Sequence, residues 1–375
     1  MVRWLVSLLI LVLLISGTWF WFSWEQGDWA ITLNALEYPG SLRVDEKEEI
    51  NFFLKEVEKS IPQKELALKP YRYKLTLTKN KKINNYYLDD PSALFREETG
   101  EGLTTTPELQ EYLHAKIKEL HKSTPFGAPL EWDEVKEIFP RYTLAVITDV
   151  ETDKSFQGER RGGTFHADVQ PLTARDTQVL KEVYKGRWSW QRRAVVVEIG
   201  GRKIAASMNG MPHGSGKIQG NDFRGHFCIH FLQSRVHKSG KVDLAHQMMV
   251  WKAAGRPEYL FNKASPEQII NLVLTALDQR DERLLALGLL SAKGNDINSA
   301  SRKLVQEIAS IALGKMEPVE IGENPDCKEY NVKVEFYYRN EQAKREKQGP
   351  LNVLTDPATG RHFLELESLE DLLAK

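Results

Sequence analysis

Apolar and polar residues alternate along three stretches of the chain with the period of a β-strand. In the first stretch, Tyr71, Tyr73, Leu75 and Leu77 share one face. The second reads RAVVVEIGGRKIAASMNG, in which two glycines separate a pair of strands as a two-residue hairpin turn would. The third, YNVKVEFYYR, lies near the C-terminus. These patterns predict β-sheets in both halves of the chain.

Helical spacing and helix-start signals occur between the strand patterns. Leu109, Leu113, Ile117 and Leu120 recur at the intervals that place side chains on one face of a helix. Further helices are predicted after Thr173, Asp243 and Ser265, and over residues 281–293 and 299–313. The mixture of helices and strands predicts an α+β, multidomain chain.

Residues 4–24 form an uncharged N-terminal run that is long enough to cross a bilayer as a helix of about 20 residues. Arg3 precedes the run, and Glu25 and Asp28 follow it, so the positive-inside rule places the rest of the chain outside the cytoplasm. A cleaved signal peptide is the alternative. We therefore expect an N-terminal transmembrane helix and a single-pass cell-membrane protein whose bulk is extracytoplasmic.

The charge balance argues against a nucleic-acid partner. The 51 Lys and Arg residues nearly equal the 52 Asp and Glu residues, and no basic tract stands out. The patterns divide the chain into an anchor or signal peptide (1–25), a mixed α/β region (26–139), a mostly β domain (140–257) and a small α+β module (264–375). The helix-then-sheet order of this last module resembles the NTF2-like class of folds.

The segment GHFCIHF carries the most distinctive side chains in the chain. His226, Cys228 and His230 recur at the strand period, so they share one face, while Phe227 and Ile229 share the other. Imidazole and thiolate suit zinc, but the two histidines would lie about 13 Å apart along a strand. We therefore expect no metal and no other cofactor. A purely structural role for this face is a further alternative.

A cysteine nucleophile is the other chemical interpretation of this segment. A neighbouring imidazole activates a thiol by taking its proton or by lowering its pKa below the free value of about 8.5. His213 and Gly214 open a glycine-rich loop that leads to Cys228. Asn209 and His166 are possible accessory residues of the same site.

This arrangement resembles the catalytic domain of the L,D-transpeptidases over roughly residues 141–255. Their motif is His-Gly, a loop, and then Ser/Thr-x-Gly-Cys-hydrophobic-Arg/Asn. His213 and Gly214 match the first pair, and Cys228 and Ile229 match the cysteine and the hydrophobic position. His226 stands where the family often has histidine. The sequence departs from the motif at three positions, which hold Gly225, Phe227 and His230.

The resemblance implies a bacterial cell-wall enzyme with peptidoglycan peptides as its partners. Cys228 would attack the carbonyl of a diaminoacid in a stem peptide and release the terminal D-residue, with His213 as general base. Backbone N–H groups from His226 to Cys228 would hold the oxyanion, and His226 or His230 would orient the site. The alternative function is a non-catalytic cell-envelope binding protein whose His/Cys face binds a metal or is structural.

Overall fold

The computed structural model of the chain describes residues 29–374, except 37, 64–70, 81, 89–90, 238, 320–325 and 358. These residues form two compact units, one ending at Thr124 and the other beginning at Pro125. Each unit is mixed α+β. The finer domain boundaries expected near residues 140 and 264 stay a prediction.

The described residues of the first unit form a seven-stranded antiparallel sheet and two helices. The sheet order is β2-β1-β4-β5-β6-β7-β3. Leu75 and Leu77 of β4 are buried with Leu109 and Leu113 of α2 in one core, as their spacing predicts. The elements are β1 (Ala30–Ala35), β2 (Ser41–Val44), α1 (Lys47–Lys59), β3 (Ile61–Gln63), β4 (Tyr73–Lys79), β5 (Lys82–Leu88), β6 (Ala93–Arg96), β7 (Glu101–Thr104) and α2 (Pro107–Ser123).

The second unit begins with a six-stranded closed barrel. The strands follow one another around it in the order β10-β13-β12-β11-β8-β9. The predicted glycine hairpin joins β11 to β12, where Ile199 pairs with Arg202. The elements are α3 (Trp132–Ile138), β8 (Leu144–Asp149), β9 (Ser155–Gly162), β10 (Ala167–Pro171), α4 (Ala174–Val183), β11 (Arg192–Ile199), β12 (Arg202–Asn209), β13 (Phe227–His230) and α5 (Leu244–Ala253).

The rest of the second unit is a group of helices on a five-stranded sheet of order β14-β18-β17-β16-β15. One hydrophobic core contains Met248 and Trp251 of α5, Val273 of α7 and Phe336 of β16, so the barrel's helix and the C-terminal sheet share buried surface. The elements are α6 (Tyr259–Asn262), α7 (Pro266–Asp278), α8 (Glu282–Leu287), β14 (Leu289–Leu290), α9 (Ile297–Glu307), β15 (Ile308–Pro318), β16 (Cys327–Tyr338), β17 (Arg345–Thr355), β18 (His362–Glu365) and α10 (Leu366–Leu373).

Side-chain caps begin three of the predicted helices. Thr173 forms a capping box with Asp176 at the start of α4, and Ser265 forms one with Gln268 at the start of α7. Asp243 accepts a hydrogen bond from a backbone N–H of α5. These starts are confirmed because a cap depends on two or three neighbouring residues, which the sequence displays directly.

Two helix ends were predicted wrongly. Helix α8 ends at Leu287, although the spacing predicts a helix over residues 281–293. The helix predicted over residues 299–313 ends at Glu307, and Ile308–Pro318 form β15 instead. Pairing with β16 along most of its length decides the conformation of this segment. Tertiary pairing of this kind overrides local helical spacing.

The expected fold class and location also need correction. The described residues form a mixed α+β structure with three sheets, one of them closed into a barrel, rather than the expected transmembrane helix, L,D-transpeptidase-like domain and separate NTF2-like module. Among the residues that the structure describes, no helix is long and apolar enough to cross a membrane. The predicted span at residues 4–24 lies outside them. The single-pass cell-membrane assignment is therefore not retained.

A buried ion pair within the barrel gives a test of its stability. Asp149 is fully buried at the end of β8 and accepts hydrogen bonds of 2.9 and 2.6 Å from the guanidinium of Arg193 on β11. Asp149→Ala leaves this cation buried with a single acidic partner, Glu151. We expect the free energy of unfolding, measured by chemical denaturation, to fall by about 3 kcal/mol.

The matched control removes an exposed acid from the same unit. Glu317 pairs with Lys315 at the surface, where solvent screens both charges. Glu317→Ala should leave the denaturation midpoint unchanged. Equal small losses in the two variants would contradict a structural role for the Asp149 pair.

Candidate active site

Cys228 occupies the middle of β13, between β10 and β12 in the barrel. It pairs with Asp168 of β10, and the next residue, Ile229, pairs with Met208 of β12. Phe227 packs against Phe156 of β9, with ring centroids 5.9 Å apart. Both faces of β13 are covered, and the Cys228 residue is only 5% exposed. The thiol is therefore held in a largely dry environment.

The structure brings His213 and Cys228 together. The Sγ atom of Cys228 lies 3.2 Å from Nε2 of His213. The other ring nitrogen, Nδ1, lies 2.8 Å from the carbonyl oxygen of Met211 and donates to it. This hydrogen bond leaves Nε2 without a proton, so that nitrogen can accept one from the thiol.

Two backbone hydrogen bonds hold the His213 loop against β13. The N–H of His213 donates to the carbonyl oxygen of His226 at 3.0 Å, and the N–H of His226 donates back at 2.8 Å. Gly225 has a φ of +91°, and a Cβ there would lie 2.2 Å from the carbonyl oxygen of His213. Gly225 is therefore required for this close approach. Gly214 faces the His226 ring with a φ of +64°.

The expected oxyanion donors must be revised. The N–H of His226 is engaged by His213, so it is not available to a substrate. Asn209, at the end of β12, is the neutral side chain that acts on the thiol, since its hydrogen-bonding capacity opposes the rise in the pKa of Cys228. Its Oδ1 is buried and has no hydrogen-bond partner among the described residues. Asn209 thus places a neutral donor beside the nucleophile.

Burial governs the protonation of the pair. It raises the pKa of Cys228 to about 12, and the Asp168 carboxylate acts in the same direction, while the Asn209 hydrogen bond partly opposes them. Burial also lowers the pKa of His213. The expectation that the imidazoles lower the thiol pKa is therefore wrong. At neutral pH the resting pair is a neutral thiol facing a neutral imidazole.

His230 lies on the far side of Cys228 in a stack of buried imidazoles. Its ring centroid is 4.2 Å from that of His166 and 3.7 Å from that of His246, a residue of α5. Burial lowers the pKa of His230 and His246 well below the ordinary value. His246 is fixed by a 2.8 Å hydrogen bond between Nδ1 and the hydroxyl of Ser207. His230 is thus enclosed and does not face solvent.

Asp168 is a site residue that the sequence analysis missed. Its Oδ1 lies 3.4 Å from Nε2 of His166, 3.6 Å from Nε2 of His226 and 3.8 Å from Nε2 of His237. Burial alone would raise the pKa of Asp168, but these imidazoles outweigh it, and the pKa lies below its ordinary value. The available signal was His166-x-Asp168, which has the same strand period as the His/Cys segment.

An open cleft lies next to Trp190, whose ring contacts that of His213. Trp190, which is 52% exposed, has its ring centroid 5.0 Å from that of His213. The cleft measures about 410 Å³, a volume in the range of small-ligand sites. Trp190 and Met211 line its barrel side, and Arg280 and Ser310 line the opposite side. The C-terminal part of the unit therefore lines one side of this cleft, which meets the candidate site through Trp190.

No protein-family model matches this chain, and no curated protein sequence matches it significantly. Any functional assignment therefore rests on the residues and their geometry.

The buried thiol leads to a prediction for alkylation by iodoacetamide. Both cysteines are free thiols, so the Cys327→Ala and Cys228→Ala variants each report on the one that remains. At pH 7.5 we expect Cys228 to react more slowly than the partly exposed Cys327, as measured by intact mass. A raised pKa means that thiolate forms only as the pH rises towards 12. The Cys228 rate should thus increase about tenfold per pH unit between pH 7 and 10.

A rate for Cys228 that levels off below pH 8 would contradict this picture. It would show that the neighbouring imidazoles stabilise the thiolate more than burial destabilises it.

Proposed function

We propose that this protein is a cysteine acyltransferase or hydrolase that acts on peptidoglycan stem peptides in the manner of the L,D-transpeptidases. The observation that carries the proposal is the 3.2 Å contact between Sγ of Cys228 and Nε2 of His213, with Nδ1 anchored on the Met211 carbonyl. A nucleophile, a base and a group that orients the base are the parts that covalent acyl transfer requires.

The first half-reaction would form a thioester. Sγ of Cys228 attacks the carbonyl carbon of the diaminoacid while Nε2 of His213 takes the thiol proton. The C–N bond to the terminal D-residue then breaks, and the proton on Nε2 passes to the departing amine. Because the buried thiol is neutral at rest, proton transfer accompanies attack instead of preceding it.

The second half-reaction would return the enzyme to its starting state. Water or an acceptor amine attacks the thioester carbon, and Nε2 of His213 takes the proton of this nucleophile. The C–S bond breaks, and the proton returns to Sγ. The acyl group leaves as a free acid or as a new amide, which distinguishes hydrolysis from transfer.

The surroundings of the pair supply the other functions that the reaction needs. The Asn209 amide would donate to the developing oxyanion, because its side chain already favours the charged form of the Cys228 thiol. Arg280 at the edge of the cleft would provide positive charge for the carboxylate of the terminal D-residue. This assigns to an arginine from the C-terminal part of the unit the role that the buried His230 cannot perform.

A second candidate function is non-catalytic binding in the cell envelope. It is favoured by the three histidines that surround the Asp168 carboxylate, a donor set that does not depend on Cys228 acting as a nucleophile. Turnover separates the two candidates, since a binding protein would hold a stem peptide without cleaving it.

The central test is release of the terminal D-residue from a stem tetrapeptide by the full chain. We expect release, together with a thioester adduct on Cys228 detected by intact mass. Cys228→Ala should abolish both, and His213→Ala should slow release by about 10²–10⁴-fold, the usual contribution of a general base. His114→Ala is the matched control, because this exposed histidine lies on α2 of the other unit. It should not change the rate.

Two outcomes would contradict the acyl-transfer proposal. Absence of both release and adduct with the wild-type chain would exclude this substrate class. Binding of the tetrapeptide without cleavage, unchanged in Cys228→Ala, would favour the binding protein instead.

The Asn209 donor can be tested separately by steady-state kinetics. Asn209→Ala should lower kcat by about 10²–10³-fold, with little change in KM, because an oxyanion donor acts mainly in the transition state. A rise in KM at unchanged kcat would instead place Asn209 in ground-state binding.

A further inference from the structure

We infer that His166, Asp168 and His237 form a binding site for one divalent transition-metal ion, with zinc as the natural occupant. Each of the three residues offers one ligand atom, and these atoms lie within 4.8 Å of one another; Oδ1 of Asp168 contacts Nε2 of both histidines. The inference does not depend on the acyl-transfer function, since it uses neither Cys228 nor His213. It revises the expectation that the protein holds no metal.

The orientation of the His166 ring is the first argument. Its Nδ1 lies 2.8 Å from the carbonyl oxygen of Arg235 and donates a hydrogen bond to it. Nε2 is therefore the ring nitrogen that is left to face Asp168, and a hydrogen bond from the other nitrogen to a carbonyl is the usual way in which a metal-binding histidine is oriented. The His166 side chain is 2% exposed, and within the described part of the chain this Nε2 has no hydrogen-bond partner.

The second argument is that Nε2 of His166 faces the carboxylate of Asp168. Oδ1 of Asp168 lies 3.4 Å away and likewise has no hydrogen-bond partner in the described ranges. Two buried acceptors that face each other repel unless a cation lies between them. A metal ion satisfies both atoms, and a proton on His166 is the competing solution.

The distances favour a metal ion between these groups. Tetrahedral zinc with bonds of about 2.0–2.1 Å separates its ligand atoms by about 3.3 Å. Oδ1 of Asp168 lies 3.4 Å from Nε2 of His166 and 3.8 Å from Nε2 of His237. Small side-chain rotations close the remaining gap, and His237 is free to make them because its side chain is 52% exposed.

The backbone fastens the two sides of this site together. His166 immediately precedes β10, and the strand period places Asp168 on its face. His237 lies on the loop after β13, where Arg235 pairs with Val242. The N–H of Arg235 donates to the carbonyl oxygen of Phe165 at 3.0 Å, and its own carbonyl accepts from His166. The backbone on both sides of the site and the His166 ring are therefore held in place without an ion.

The donor set indicates the kind of ion and its chemistry. Two imidazoles and one carboxylate suit zinc and related ions, and three protein ligands leave a fourth position open to water or to a ligand. Two other groups of possible ligands include Cys228, together with His166 and His230 or with His213 and His226. A metal ion in either of those groups would require Cys228 to be ionised. A metal ion at Asp168 does not involve the contact between Cys228 and His213.

Zinc binding to the full chain tests the inference directly. After removal of metal by chelation, the protein should take up one zinc ion per chain, as measured by elemental analysis and by competition with a chromophoric chelator. His237→Ala and Asp168→Asn should each weaken binding by at least about 100-fold, since loss of even a supporting partner costs 10–100-fold. Because His237 is half exposed, its variant should keep the circular dichroism spectrum and Tm of the wild type.

Two controls give the experiment its specificity. Cys228→Ser should bind zinc as the wild type does, and Co²⁺ in the wild-type site should give no thiolate charge-transfer band. His114→Ala removes an exposed histidine on α2, more than 50 residues before His166 in the sequence, and should also leave zinc affinity unchanged.

Three results would overturn the inference. The absence of tight zinc binding by the wild type would leave a proton as the cation shared by His166 and Asp168. Unchanged affinity in both His237→Ala and Asp168→Asn would place the ion elsewhere. Loss of zinc in Cys228→Ser would assign it to one of the thiol-containing groups.

Discussion

The pair of backbone hydrogen bonds between His213 and His226 is the constraint on which the candidate site depends. Without these bonds, the loop that carries His213 would not be held at a fixed distance from β13. The 3.2 Å contact between Nε2 of His213 and Sγ of Cys228 would then be lost. The constraint is steric as well as polar, because Gly225 must adopt a left-handed conformation for the two segments to approach. Phe227, two positions after this glycine, is buried and packs against Phe223.

The electrostatic character of the site follows from its dryness. Burial keeps the thiol protonated and the imidazoles of His213, His230 and His246 neutral. Asp168 is the carboxylate that keeps its charge among them, and it does so because imidazoles surround it. Two sites with different chemistry thus lie on the paired strands β10 and β13. Cys228 on β13 belongs to a neutral proton-transfer pair, and Asp168 on β10 is an anionic centre suited to cations.

Local features were predictable from the sequence, whereas features made by distant partners were not. The capping boxes at Thr173 and Ser265 and the hairpin between β11 and β12 depend on neighbouring residues, and the sequence displays them directly. The pairing of His213 with Cys228 was suggested by spacing within one segment. The closure of the barrel and the conversion of residues 308–318 into a strand depend on pairing across the fold, which periodicity does not record. Asp168 was missed for the same reason. Its role depends on its position opposite Cys228 in the sheet and on His237, which comes from the loop after β13.

The core that α5 shares with the C-terminal sheet means that the second unit cannot be divided after the barrel without exposing apolar surface. Met248 and Trp251 bury their side chains against residues that follow α5, among them Val273 and Phe336. A fragment that ended after the barrel would turn this apolar surface towards water and lose Arg280 from the cleft wall as well. The barrel is therefore not expected to fold as an independent domain. The residues that follow α5 both cover its apolar surface and complete the cleft.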